Sequence, residues 1–295
     1  MTERRLWLIL LVVPPLLWAG NALVGRAVVG RLDPVELSFW RWCVALAALL
    51  PFTGRSLLVH GRVLLAAWPA VLVMGLCSVA VYNTLLYMAM HTTTAINATL
   101  MGACMPLLIL LLGRLWLGDA IRPAQMLGIL VSACGMLAVV TRGDPGRLLD
   151  LALTPGDGLM VLATLAWAIY SVMLRRYALA VPALTLLTAF VMVGLAALAA
   201  AYALLPARQP LAALGLPELA AILYTGLLAS LVAFTFWNRG VAVVGAATTG
   251  QYSYLIPLFT ALLAIPLLGE AFHWYHGLGG GLIFAGIFLA TRRKG

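Results

Sequence analysis

The chain has 295 residues, a mean hydropathy of +1.07, 64% hydrophobic residues and only 9% charged ones. A water-soluble fold of this length cannot hide so much apolar surface, and about a quarter of its residues would ordinarily be charged. The net charge of +9 does not indicate nucleic acid, because seventeen of the 18 basic residues are Arg spread thinly over short loops, whereas a nucleic-acid face needs clustered basic residues on a soluble surface.

A lipid-spanning helix needs about 20 apolar residues. Ten runs qualify, near 6–28, 34–52, 64–90, 93–116, 122–141, 156–178, 182–204, 216–239, 244–267 and 273–291. Arg4-Arg5 followed by Leu6 to Ala19 resembles a signal peptide, but nine further runs follow, so it reads as an uncleaved first span. Asp33, Glu36, Asp119, Asp144, Asp150, Asp157, Glu218 and Glu270 sit near or between the runs, as expected where a charge at the bilayer centre costs about 2.5–3.5 kcal/mol. Cys43, Cys77, Cys104 and Cys134 lie in apolar runs without CxxC or CxH spacing. They read as buried small hydrophobes, and neither a metal nor a cofactor is expected. The longest polar stretch, Thr141 to Asp157, divides the chain almost in half.

The halves repeat. A shift of 151 positions places Pro106 on Pro257, Gly118-Asp119 on Gly269-Glu270, Gly128 on Gly279, Gly135 on Gly286, Thr84 on Thr235 and Arg142 on Arg293. Further upstream a shift of 149 places Trp18-Ala19 and Arg26 on Trp167-Ala168 and Arg175. This predicts an all-α membrane protein of ten helices in two units, 1–142 and 156–295, joined by a linker at 143–155. Five passes per unit is odd, so the units would be inverted relative to each other, an arrangement that transporters use to bind solute between the halves. With both termini in the cytoplasm, twelve Lys and Arg fall on the cytoplasmic side and five (Arg26, Arg31, Arg142, Arg147, Arg208) on the other, with Arg41 inside a span. That bias favours this orientation.

The ordered motifs resemble the EamA-type branch of the drug/metabolite transporter superfamily over nearly the whole chain. Ala95 to Gly135 and Ala246 to Gly286 each run from a small-residue helix start through Pro-Leu, an apolar run and Leu-Gly-acid to two Gly seven residues apart. Trp18-Ala19-Gly20-Asn21 is similar to the family's first-span motif, and Asp33-Pro34 with Phe39-Trp40-Arg41 to the start of its second span. Asp119 stands where the family usually has Glu. The resemblance implies ten helices around a central cavity. Among members of that branch the chain looks most like YddG-type amino-acid exporters; a monomer in a bacterial inner membrane, in contact with membrane lipid, is expected.

Polar and aromatic groups inside spans are the candidate solute contacts: Trp18, Asn21, Tyr82, Asn83, Asn97, Met101, Trp167, Tyr170, Trp237, Asn238, Gln251 and Tyr252. Amides facing lipid would leave donors unpaired, so these groups should face inward, either lining a cavity or bonding between helices. The aromatics are expected to edge a hydrated space suited to flat or apolar solutes. Pro106 and Pro257 occupy equivalent places and should interrupt their helices, as gates or as static bends. Arg41 either attracts a carboxylate or snorkels to the interface. Gly128/Gly135 and Gly279/Gly286 predict that spans 5 and 10 pack together, and Gly277-x-x-x-Gly281 offers a second small-residue face. No Asp or Glu lies mid-span, so uniport or exchange is expected over carboxylate-coupled proton antiport. His273 and His276 lack the glutamate of HExxH, and no convergent catalytic set is legible, so an enzyme is not expected. Export of a small metabolite by alternating access is the leading reading, with aromatic or neutral amino acids first, other metabolites or drugs as the alternative, and an intramembrane enzyme or a channel behind them.

Overall fold

The computed structural model describes residues 2–28, 30–149, 151–206, 214–268 and 271–291. Asp150, Arg208, Gly269, Glu270, Arg292, Arg293 and Lys294, used above, lie outside them. Among the described residues there is no strand, and nine helices are long and apolar enough to cross a membrane. They are α1 (Glu3–Ala27), α2 (Pro34–Ala66), α3 (Trp68–Ala89), α4 (Asn97–Leu117), α5 (Pro123–Val140), α6 (Pro155–Arg176), α7 (Ala183–Ala203), α8 (Leu216–Val244) and α9 (Ala246–Leu267). A further helix, α10 (Trp274–Thr291), opens with Trp-Tyr-His.

Local chemistry explains the boundaries. Asp33 accepts from the Val35 amide at 2.7 Å and Pro34 sits at the first position of α2, both favourable at a helix start. Thr94 accepts from the Asn97 amide at 3.1 Å to start α4, and Gly118, at φ 70°, ends it in a left-handed conformation that suits glycine. The expected end of the second span near residue 52 is corrected: α2 runs on through Pro51 to Ala66. A proline removes one ladder bond, and the residues that follow, including Leu57, Leu58 and Leu64, keep a helix-compatible sequence.

Irregularities recur at equivalent places. Helix α4 breaks between Gly102 and Met105, just before Pro106. Helix α9 tightens to a 3₁₀ turn at Tyr252–Tyr254, just before Pro257. Helix α3 is π-helical over Leu76–Val81 and α8 over Tyr224–Val232. Shifted by 151, the first π segment falls on 227–232, inside the second.

Packing repeats in the same way. A Cβ on Gly128 would stand 2.5 Å from the Gly286 carbonyl, and one on Gly135 would stand 2.6 Å from that of Gly279. Helices α5 and α10 therefore lie backbone to backbone and run antiparallel, as the paired glycines predict. Gly277 and Gly281 take no part, since a Cβ on Gly281 would meet nothing within 4 Å and one on Gly277 only the Phe272 ring edge at 3.8 Å. A Cβ on Gly75 of α3 would meet the Phe190 carbonyl of α7 at 2.8 Å, and one on Gly226 of α8 the Arg41 carbonyl of α2 at 2.7 Å. Gly75 and Gly226 are equivalent at the 151 shift, Arg41 and Phe190 at the 149 shift. Each half thus seats its third helix against the second helix of the other half.

The four cysteines are free. Cys104 and Cys134 are exposed and Cys43 and Cys77 half-buried, which corrects the expectation that all four are buried: Cys104 sits in the break of α4 and Cys134 on an uncovered part of α5.

Candidate functional site

Where α1, α3, α6 and α8 meet, five of the six predicted aromatics, Trp18, Tyr82, Trp167, Tyr170 and Trp237, form one cluster. Trp167 lies 5.1 Å from Trp18, 5.5 Å from Trp237, 4.8 Å from Tyr82 and 5.1 Å from Phe234, mostly in tilted or edge-to-face geometry. Trp167, Trp237 and Tyr170 are essentially fully buried. The rings close on one another and do not edge an open hydrated space, contrary to the expectation. Edge-on packing lets ring edges meet ring faces and is favourable without water. Trp18 Nε1 donates to the Ala229 carbonyl at 3.0 Å and Trp237 Nε1 to Ser171 Oγ at 3.2 Å, while Trp167 Nε1 is buried without a partner.

Two predicted asparagines meet at Arg41. This guanidinium is 0% exposed, so it does not snorkel. Nε and Nη2 donate to Ser230 Oγ of α8 at 2.9 and 2.7 Å. Nη1 donates to Asn83 Oδ1 at 2.9 Å and to the Tyr87 hydroxyl, both on α3, and reaches Asn21 Oδ1 of α1 at 3.5 Å. All of these partners are neutral, and none of the ion pairs among the described residues involves Arg41. The guanidinium carbon lies 5.4 Å from the Trp42 ring centre; that ring is 5.0 Å from Phe234, which touches the tryptophan cluster. Sequence reasoning left Arg41 between two readings and passed over Tyr87 and Ser230 as partners, because the acceptors come from three other helices and no local spacing joins them.

The halves mirror each other here too. Tyr87 donates to Asn21 Oδ1 at 2.7 Å, and Tyr170 donates to Asn238 Oδ1. Asn21 is equivalent to Tyr170 at the 149 shift, and Tyr87 to Asn238 at the 151 shift. The same first-to-third-helix bond is made twice with tyrosine and asparagine exchanged. The second copy has Phe190 where the first has Arg41, and Phe190 lies 6.0 Å from Tyr170 in edge-to-face contact.

The remaining predicted residues lie elsewhere. Asn97 is buried beside the start of α6, where its amide donates to Asp157 Oδ2 and to the Ala152 carbonyl, each at 2.9 Å. Met101 is half-buried near the α4 break. Tyr252 donates to the Leu8 carbonyl at 2.6 Å, tying α9 to α1. Gln251 is 1% exposed and neither amide atom has a partner. Pro106 is buried beside Gly250, whose added Cβ would lie 3.7 Å from the Pro106 Cα, and Pro257 sits in the first turn after the 3₁₀ segment.

An "Uncharacterized transporter" of Archaeoglobus fulgidus is 27% identical over 288 residues, covering 97% of both chains. A "Probable terminal-alkyne amino-acid exporter" of Streptantibioticus cattleyicolor is 26% identical, covering 99% of this chain and 94% of its own. A solved crystal structure shares the fold with a TM-score of 0.79 at 24% identity, over 98% of this chain and 97% of that one. The EamA-like transporter family matches twice, at residues 5–141 and 154–292. The two matches take in both the aromatic cluster and the mirrored tyrosine–asparagine pairs, and the chain belongs to the EamA-like transporter family.

Proposed function

We propose that this transporter exports amino acids, aromatic or neutral ones first, by alternating access between two inverted five-helix units, 1–142 and 156–295. Its ten spans lie in a bacterial inner membrane with both termini in the cytoplasm, and it works as a monomer. The observation that carries the reading is the junction itself: a buried aromatic cluster beside a buried cation, placed where the first, third and equivalent helices of both halves converge. A flat apolar side chain suits the rings and a carboxylate suits the cation. The exporter relative lends support from its name, at 26% identity. The ring-closed arrangement is an occluded state, which solute enters when one half rocks against the other. Breaks before Pro106 and Pro257 are where such motion is absorbed.

Transport is uniport or exchange. The buried carboxylates Glu36 and Asp157 each sit in the first turn of a helix, and Asp157 is engaged in capping. The experiment is counterflow in proteoliposomes with a panel of amino acids and unrelated metabolites. Saturable exchange of aromatic or neutral amino acids without an imposed pH gradient is expected, with Trp237→Ala and Tyr82→Ala lowering flux about tenfold or more while the protein still inserts. Flux of only non-amino-acid metabolites, or strict dependence on a pH gradient, would refute it.

A further inference from the structure

Arg41 is unusual in kind. A full positive charge is buried among neutral dipoles, where its desolvation is not offset by an opposite charge. The groups around it are also unbalanced. The Asn83 amide nitrogen, bonded through its oxygen to Arg41, has no partner of its own, nor do Ser38 Oγ one turn earlier on α2 or Trp42 Nε1 on the next residue. Ser38 is 0%, Trp42 0% and Asn83 3% exposed. Each of these atoms can donate. This part of the bundle has more donors than acceptors and one uncompensated charge, and a partner that supplies both lacking properties is an anion with oxygen acceptors.

We propose that Arg41 is the anion-recognising residue of the transport site, taking the carboxylate of the solute in place of its bonds to Ser230. This deepens the amino-acid reading above and rests on it for the rest of the solute. Geometry selects Ser230 as the group displaced. It occupies Nε and Nη2 together, the edge of the guanidinium that matches the two oxygens of a carboxylate. Ser230 Oγ has a second place to go, since it already donates to the Thr225 carbonyl at 2.8 Å inside the π segment of α8. Nη1 keeps Asn83 and Tyr87, which hold the guanidinium plane. Ser230 belongs to the second half and Arg41 to the first, so the exchange of partners loosens one polar tie between the halves when solute is bound. The other half has Phe190 at the equivalent place and offers no matching anion site.

The test is counterflow in proteoliposomes with solutes paired by charge: L-phenylalanine with L-phenylalaninamide, and 3-phenylpropionate with 3-phenylpropionamide. Wild type is expected to prefer the acid of a pair by about tenfold or more, the value of a hydrogen-bonded charge, and Arg41→Gln to lose that preference. Ser230→Ala should lower the half-saturating concentration of the acid at least about threefold and leave the amide unchanged, because the competing oxygen is gone. Equal flux of acid and amide in wild type overturns the role of Arg41 and leaves amino-acid transport standing. Flux of 3-phenylpropionate without phenylalanine keeps Arg41 and overturns the amino-acid reading, and no flux of any of the four overturns both. If Arg41→Gln fails to insert, Ser230→Ala decides: unchanged half-saturation for the acid overturns the proposal.

Discussion

At the start of α6 a single carboxylate joins three segments. Asp157 accepts from the Thr154 amide at 2.7 Å, from the Asn97 amide at 2.9 Å and from the Thr93 hydroxyl. It is 3% exposed. Asp157→Ala would leave three donors short of an acceptor, at about 1–3 kcal/mol for a buried group, together with loss of a helix cap worth about 1 kcal/mol. A lower unfolding midpoint in detergent is expected, read by intrinsic fluorescence, with Asp157→Asn intermediate because its remaining oxygen still accepts. An unchanged midpoint for Asp157→Ala would show that the cap contributes nothing. Residues of this kind mark the limit of reading a sequence. Asn97 was singled out correctly as a polar group that must face inward, yet whether it meets solute or a helix cap depends on Asp157, 60 positions away. Arg41 poses the same problem more sharply, because its acceptors sit on α1, α3 and α8. Polarity within a span says that a partner exists, and only folding says which.

Helices carried more legible information. The glycine pairs of α5 and α10 were readable because close backbone approach tolerates no Cβ, and a duplicated chain keeps that restriction in both copies. Local spacing misled where it stood alone: Gly277-x-x-x-Gly281 has the pattern but not the contact, since the same helix turns Gly279 and Gly286 toward α5. This separates two substitutions on one helix. Gly286→Leu pushes into Ser132 and the Gly128 carbonyl, where an added Cβ already stands at 2.3 and 2.5 Å. It should lower stability by about 1–3 kcal/mol, the range for overpacking. Gly281→Ala meets nothing within 4 Å and should be neutral or slightly stabilising, because alanine favours helix by up to about 1 kcal/mol. Thermal unfolding in detergent distinguishes them, and equal effects would mean that the α5–α10 seam is not closely packed. The π segments were illegible because no residue type announces them. Their recurrence in α3 and α8 is visible only once the backbone is seen, and π turns are frequent at functional positions. The overrun of α2 past residue 52 is not legible in an apolar run that gives way to Thr53-Gly54-Arg55-Ser56, because a helix can continue beyond its apolar stretch and through Pro51, which removes only one bond.

At the scale of the whole chain, contacts between helix ends test the pass count. If helices alternate in direction, the ends of α1 (start), α4, α6, α8 and α10 (all finish) share one side. Glu3 pairs with Arg239 at 2.8 Å, Arg4 donates to the Thr291 carbonyl at 3.0 Å, and Asp119 pairs with Arg175, so these contacts all join that side. On the other side Arg31 meets Glu218 at 3.4 Å, and a Cβ on Gly143 would meet the Trp274 ring at 2.4 Å. No pair here crosses from one side to the other. Two residue pairs separated by the repeat length also touch: Ser132 donates to the Ile283 carbonyl at 3.2 Å and Tyr254 to the Ala103 carbonyl at 3.1 Å. Equivalent positions meet in this way only near an axis relating the halves. That axis must lie across the helices, because α5 and α10 are equivalent and antiparallel. On the proposed inverted arrangement, five passes separate Thr2 from the 143–155 linker and put them on opposite faces of the bilayer. The measurement uses a cysteine-free background carrying either Thr2→Cys or Arg147→Cys in intact cells, with a membrane-impermeant maleimide. Arg147 is 41% exposed at its side chain and pairs only weakly with Asp144 at 4.0 Å, so the probe site is reachable. Arg147→Cys should label in intact cells, and Thr2→Cys only after permeabilisation. Labelling of both from one side would require an even number of passes in the first unit, and the equivalent helices could then no longer run in opposite senses through the membrane.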